Sequence, residues 1–231
     1  MHALATILIV LTSAVCHQPA PTKDATGGGS PAVPASPPSP PKSPTPGPKD
    51  SANPAGEVFT PPDNPRFPAD KLAPSKFEKI RNESGEVLRI DGKYVVRGKG
   101  TKSEPYVVPF DLLASAENTY KPRLGLSKLP QRVTFLDGAY IKIEGFTAFP
   151  ITSTDPKEML VMQNQWDGCC IGTPPTPYDA VEVALAKGVS QAARKAGHGA
   201  VSGKFKVDPY DDNGWLLGLY LMDEGEVDAG K

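Results

Sequence analysis

From about residue 86 onward, apolar and polar positions alternate with a period of two, the signature of strands with one buried face. Around "DGAYIKIEGFTAFPI", Ile141, Ile143 and Gly145 fall on one side, and Tyr140, Lys142 and Glu144 on the other. Gly145 is expected to mark a bend or bulge. Val181 and Val183 alternate with Glu182, and Val201, Gly203, Phe205 and Val207 repeat the pattern. "EMLVMQN" reads as a short apolar strand, and "GWLLGLYLMDE" closes the series. Upstream, "GEVLRIDGKYVVRG" places two apolar runs around Asp91-Gly92, a hairpin signal. "PYVVPFDLLASAENTY" begins as a strand and ends in a helical turn, and Val189–Ala196 predicts a short helix stopped by Gly197 or Gly199.

Counted from Ala139, the order is strand, strand, strand, helix, strand, strand. The expectation is a mainly β protein: a small OB-like five-stranded barrel with one short helix. An irregular β-sandwich fits the same order. The barrel domain is expected over 105–226, with a β-hairpin extension over 75–104.

The first third of the chain has no such pattern. About two-thirds of the 27 prolines lie between Pro19 and Pro74. Proline removes amide donors, and this stretch offers almost no large apolar residue, so 17–74 is expected to be a disordered Pro/Ser/Gly-rich tether. Deleting residues before about Pro74 is therefore expected to leave the rest folded. The opening "MHALATILIVLTSAVC" has an apolar run of about thirteen residues, short of the ~20 that span a bilayer and suited to a signal peptide. Residues 1–16 are expected to be a signal, with Cys16 as a lipid-attachment site or simply removed with it. Either outcome predicts export, to the periplasm or to a lipid-anchored position in a bacterial envelope.

Composition narrows the chemistry. The 231 residues carry 25 basic and 26 acidic side chains, so neither nucleic acid nor an anionic membrane is an expected partner. Contact with the membrane is expected only through a lipid on Cys16. Three cysteines are too few for a disulfide scaffold. Two of them, Cys169 and Cys170, are adjacent in "QNQWDGCCIGTPPTPYD". Adjacent thiols close too small a ring for ordinary disulfide geometry, so a reduced pair is expected, with at least one thiol buried. The alternatives are thiol exchange and metal binding, in which Cys169, Cys170 and His198 supply soft and borderline ligands. Adjacent cysteines depart from the usual zinc spacing. Asp208, Asp211 and Asp212 surround an Asn-Gly turn and read as turn formers rather than a calcium loop. Lys187, Arg194, Lys195, Lys204 and Lys206 read as a solvated basic face. No phosphate-binding glycine loop, nucleophile elbow or zincin motif is present in the sequence.

"LPQRVTFLDGAYIKIEGFTAFPI", "EMLVMQNQ", "CCIGTPPTPYDAVEV" and "GAVSGKFKV…LYLMD" together resemble the bacterial domain of unknown function 3299 family over roughly 105–226. The resemblance implies exported or lipid-anchored envelope proteins, without an assigned activity, and for some members a gene-context link to zinc uptake. Cys170 corresponds to the family's loop cysteine, and Pro174 and Pro175 to its proline run. Many members carry a histidine two residues after that cysteine, where this chain has Gly172. Cys169 stands where many have a small residue. The resulting expectation is a non-enzymatic envelope module working through a protein partner and without a cofactor. The alternative is a periplasmic zinc- or thiol-handling protein using the Cys169-Cys170 loop.

Overall fold

A computed structural model describes residues 56–82, 85–166 and 172–228. Cys16, the tether as far as residue 55, and Cys169 and Cys170 lie outside the described residues. Among the described residues the fold is mainly β, with three short α-helices. Ten strands form one mixed sheet: β1 Glu57–Val58, β2 Phe77–Asn82, β3 Gly85–Ile90, β4 Tyr94–Arg97, β5 Tyr106–Val107, β6 Tyr140–Ala148, β7 Glu158–Met162, β8 Ala180–Leu185, β9 His198–Asp212 and β10 Trp215–Asp228. Their order is β1-β2-β3-β4-β5-β6-β7-β8-β10-β9, and β9 also pairs with β6. Each of the last five strands therefore pairs with two others of that set. All these pairings are antiparallel except β8 with β10, which is parallel. The helices are α1 Phe110–Ala114, α2 Gln131–Thr134 and α3 Gln191–Ala196.

The alternation in sequence becomes the two faces of this sheet. Ile141, Ile143, Val161, Val181, Val201 and Phe205 are buried, whereas Glu144, Glu182 and Lys204 are exposed. Each fully buried aliphatic of this size contributes about 1.5–3 kcal/mol. Phe110, Leu112 and Leu113 of α1 close the same core. Tyr220 is fully buried beside them, and its hydroxyl donates to the Leu113 carbonyl at 2.8 Å, so the core leaves this group satisfied.

Gly145 does not bend its strand. Register with β9 runs without a shift from Tyr140↔Lys204 to Phe146↔His198. The glycine is needed for space, because a Cβ there would stand 2.5 Å from the Met162 carbonyl and 2.6 Å from the Phe110 ring. The two hairpins follow turn chemistry: Asp91 (φ 52°) and Gly92 (φ 69°) join β3 to β4, and Asn213 (φ 51°) and Gly214 (φ 81°) join β9 to β10. Ser190 caps α3 by accepting the Ala193 amide, and Gly197, in the left-handed region, ends it.

The start of the folded unit is corrected. Residues 56–74 belong by composition to the tether, yet they are fastened to the sheet. Glu57 and Val58 pair with β2, and the Phe59 ring meets Phe77 edge-on at 6.1 Å. Arg66 donates to Asp137 at 2.6 Å, to the Val207 carbonyl at 3.1 Å and to Asp208 at 3.2 Å. Asn64 donates to the other Asp137 oxygen at 2.9 Å, and the Val207 amide also donates to Asp137. The Asp137 side chain is only 6% exposed. A carboxylate so enclosed requires its donors, which hold in place a proline-rich strap whose regular structure is limited to one 3-10 turn, Ala69–Lys71, and two-residue strands.

Two outcomes follow for stability. Arg66→Ala, which strips Asp137 of its cation, is expected to cost about 1–3 kcal/mol in urea unfolding, and deletion through Pro74 to cost more than deletion through residue 55. Equal melting of the two deletions would place 56–74 outside the folded unit after all. Gly145→Ala is expected to lose about 1–3 kcal/mol by overpacking, read from the same urea midpoints.

Candidate functional site

The segment from β7 to β8 holds the adjacent cysteines, and its described ends are closely tied. The Gln163 amide donates to the Asp179 carbonyl at 2.9 Å, Trp166 forms an antiparallel bridge with Gly172, and the Thr173 amide donates to the Gln165 carbonyl at 3.1 Å. Further out, Asp179 accepts from the Thr176 amide and hydroxyl, and the Tyr178 hydroxyl donates to the Tyr120 carbonyl at 2.7 Å. Gln163 reaches across to Asp111 of α1 at 2.8 Å. The described residues on either side of 167–171 thus end in one bridged pair, Trp166 and Gly172. Cys169 and Cys170 themselves lie outside the described residues.

His198 opens β9 and is 45% exposed at its side chain. Its ring meets Phe146 edge-on at 4.9 Å, and Nδ1 lies 4.0 Å from Glu144. It does not cap α3, since Gly197 already ends that helix. In register, Phe146 is the partner of both Met162 on β7 and His198 on β9. The cysteine segment leaves β7 immediately after Met162, so His198 and the start of that segment share one end of the sheet. They are two strands, roughly 10 Å, apart.

The remaining candidates separate cleanly. Asp211 accepts the Gly214 amide at 3.2 Å and Asp212 accepts from Asn213, as turn residues do, whereas Asp208 takes the Arg66 guanidinium. Lys187 pairs with Glu226, Lys206 with Asp208, and Arg194 donates to the Ser153 and Thr154 carbonyls. The basic residues are thereby mostly engaged. Among the described residues no group of three or more His, Cys, Asp or Glu side chains converges as a metal site.

No family model matches the chain, and no curated protein matches it. Among solved structures, the chain is similar to the crystal structure of a DUF3299 family protein from Pseudomonas aeruginosa. That likeness has 20% identity and a TM-score of 0.36, and it covers 54% of this chain and 97% of the other. Gly172 closes the segment in its bridge with Trp166. Its φ is 94°, and a Cβ would overlap the Gln165 carbonyl. With this backbone no side chain fits there.

A cluster that periodicity alone did not mark lies on the polar face of the same sheet. Glu224 accepts from Lys102 at 2.7 Å and from the Tyr140 hydroxyl at 2.9 Å. It sits where the β9–β10 register shifts, with φ at 54°, a value that L-residues rarely adopt. The sequence signal was Tyr140 on the polar side of its strand; its acidic partner, 84 residues away, had none. The hydrogen bond from Lys102, then that from Tyr140, holds the Glu224 carboxyl below its ordinary value. A carboxyl depressed on folding contributes stability that is complete above its unfolded value, about 4.3, and is lost as pH falls through the lower folded value. Glu224→Gln is therefore expected to flatten the acid limb of a Tm-against-pH profile below about pH 4.3. Superimposable profiles for the two proteins would remove Glu224 from that limb.

Proposed function

We propose that the protein is a non-enzymatic module of the bacterial cell envelope that acts through protein contacts. One observation carries this reading. Of nine large apolar side chains exposed among the described residues, Leu124, Leu126, Tyr210, Trp215 and Leu217 lie on two neighbouring segments. Contiguous apolar surface of this kind marks interaction sites, whereas single exposed apolar residues do not. The finer fold in the proposal is an OB-like five-stranded barrel with one short helix. The cyclic pairing of β6, β7, β8, β10 and β9 supports it, as does the position of α3 between β8 and β9. Filling of the interior by side chains such as Phe205 and Tyr220 agrees with a packed module. The envelope location rests on the N-terminal sequence: a signal over 1–16, Cys16 as the lipid site, and a proline-rich tether carrying the domain away from the membrane. The near balance of charge speaks for a protein partner and against nucleic acid.

A second reading is zinc or thiol handling by Cys169 and Cys170 with His198. The register that puts His198 and the start of the cysteine segment at one end of the sheet favours it. Thiol titration of the native full-length chain, with and without zinc, separates the two. The module reading expects a reduced pair with at least one slowly reacting thiol, and no stoichiometric zinc. Cys169→Ser or Cys170→Ser at the buried position then costs more than ~1 kcal/mol. Fast reaction of both thiols, with zinc uptake abolished by His198→Ala and stability unchanged, would establish the second reading in its place.

A further inference from the structure

Trp215 and Leu217 are two residues apart on β10 and so stand on one side of that strand. They are 59% and 55% exposed. The turn Pro122–Leu124 packs beside β10, and the Arg123 guanidinium carbon lies 3.5 Å from the centroid of the Trp215 ring. This is a close cation–π stack, which holds the indole in one orientation. Leu124 on this turn and Leu126 on the two-residue strand that follows it are exposed.

The two segments carry opposite charges that form no ion pair among the described residues, although Asp211 and Asp212 also accept hydrogen bonds within their own turn. Among the described residues, Arg123 on the turn and Lys128 just after the strand that follows it have no carboxylate partner, and Asp211 and Asp212 at the hairpin tip have no cationic one. Trp215 stands between the two signs, with Asp212 as its cross-strand partner and Arg123 against its ring. A surface with an apolar centre, a basic flank and an acidic flank is its own complement under a two-fold rotation. That rotation lays the basic turn of one copy over the acidic hairpin tip of the other. An anionic lipid surface would meet Asp211 and Asp212 with repulsion, and a partner of a single charge sign would match only one flank.

We propose that this surface joins two copies of the chain in an isologous dimer, with Trp215 and Leu217 at its centre and Arg123 and Lys128 facing Asp211 and Asp212 of the second copy. The proposal rests on the reading that the protein acts through contacts, and it names the partner. Five partly exposed side chains supply a few hundred Å² per copy, less than the ~800 Å² per partner of a standard interface. The dimer is accordingly weak, with a Kd on the order of 10–100 µM, and concentration on an envelope surface would favour it.

Sedimentation velocity of the full-length chain from about 5 to 500 µM is expected to show monomer passing to dimer, with no larger species. Leu217→Ser and, separately, Trp215→Ser are expected to raise the Kd at least ~10-fold, with circular dichroism reporting that each variant remains folded. Arg123→Glu with Lys128→Glu is expected to do the same. Adding Asp211→Lys and Asp212→Lys to that doubly reversed chain is expected to return the Kd to within about threefold of the starting value. A chain that stays monomeric at ~500 µM overturns the dimer. Association indifferent to Leu217→Ser and to charge reversal, or not rescued by the second reversal, overturns it equally. If the monomer instead binds phosphatidylglycerol vesicles and Leu217→Ser abolishes this, the surface is a lipid contact and the dimer is wrong. These measurements read mass and partner. The thiol and zinc titration is independent of them, so loss of the dimer and loss of the module reading are told apart.

Discussion

Strand β6 has to satisfy three neighbours at once. Tyr140–Phe146 pair with β9 along one edge, while the other edge is divided between β5 at Ile141–Lys142 and β7 at Phe146–Ala148. Its inward side chains, Ile141 and Ile143, are fully buried, and at Gly145 a side chain would strike Met162 and Phe110. Backbone groups left unpaired in such a place cost about as much as a lost hydrogen bond, so all three neighbours are held in register. The sheet β1–β5 is thereby joined to the circuit β6–β10 through a single strand.

The strap ahead of β2 depends on the same arrangement. Asp137 lies between α2 and β6, just before Gly138, whose amide donates to the Phe205 carbonyl of β9. Once β6 and β9 are paired, the Val207 amide and the Asp137 carboxylate are brought together, and Arg66 and Asn64 complete the shell. Arg132 does a comparable task on the other side of the core. It donates to the Ser115 hydroxyl and carbonyl beyond α1 and pairs with Asp91 in the β3–β4 turn at 3.3 Å. Both clasps are half-enclosed ion pairs supported by further hydrogen bonds, the arrangement in which removing one partner is costly.

The proposed functions use different ends of this frame. The tied ends of the cysteine segment and His198 share the Met162–Phe146–His198 end of the sheet, whereas the apolar surface lies at the β9–β10 hairpin tip. Arg123 links the second of these to the short turn before α2 by stacking on Trp215. The separation is useful experimentally, because substitutions at Leu217 or Trp215 leave the cysteine segment's ties untouched.

By itself the sequence determined what local chemistry governs. Period-two alternation placed β6, β8 and β9, short apolar runs placed β7 and β10, the Asp91-Gly92 and Asn213-Gly214 pairs supplied left-handed turns, and of the two glycines expected to stop α3 it is Gly197 that does so. These follow from steric and solvation rules acting over a few residues. Tertiary structure alone decided which polar groups meet. Arg66 and Asp137 are 71 residues apart, and Tyr140 and Glu224 are 84 apart. Composition assigned 56–74 to the tether because prolines forbid helix and sheet ladders, but it is silent on side-chain clasps made by distant strands. Gly145 shows the same division: its inward position was legible from alternation, while its need for glycine came from Phe110 and the Met162 carbonyl. A residue's own preferences act through its neighbours in the chain, whereas ion pairs, stacking and steric limits act through neighbours in space, and those exist only once the register of β6 with β9 is set.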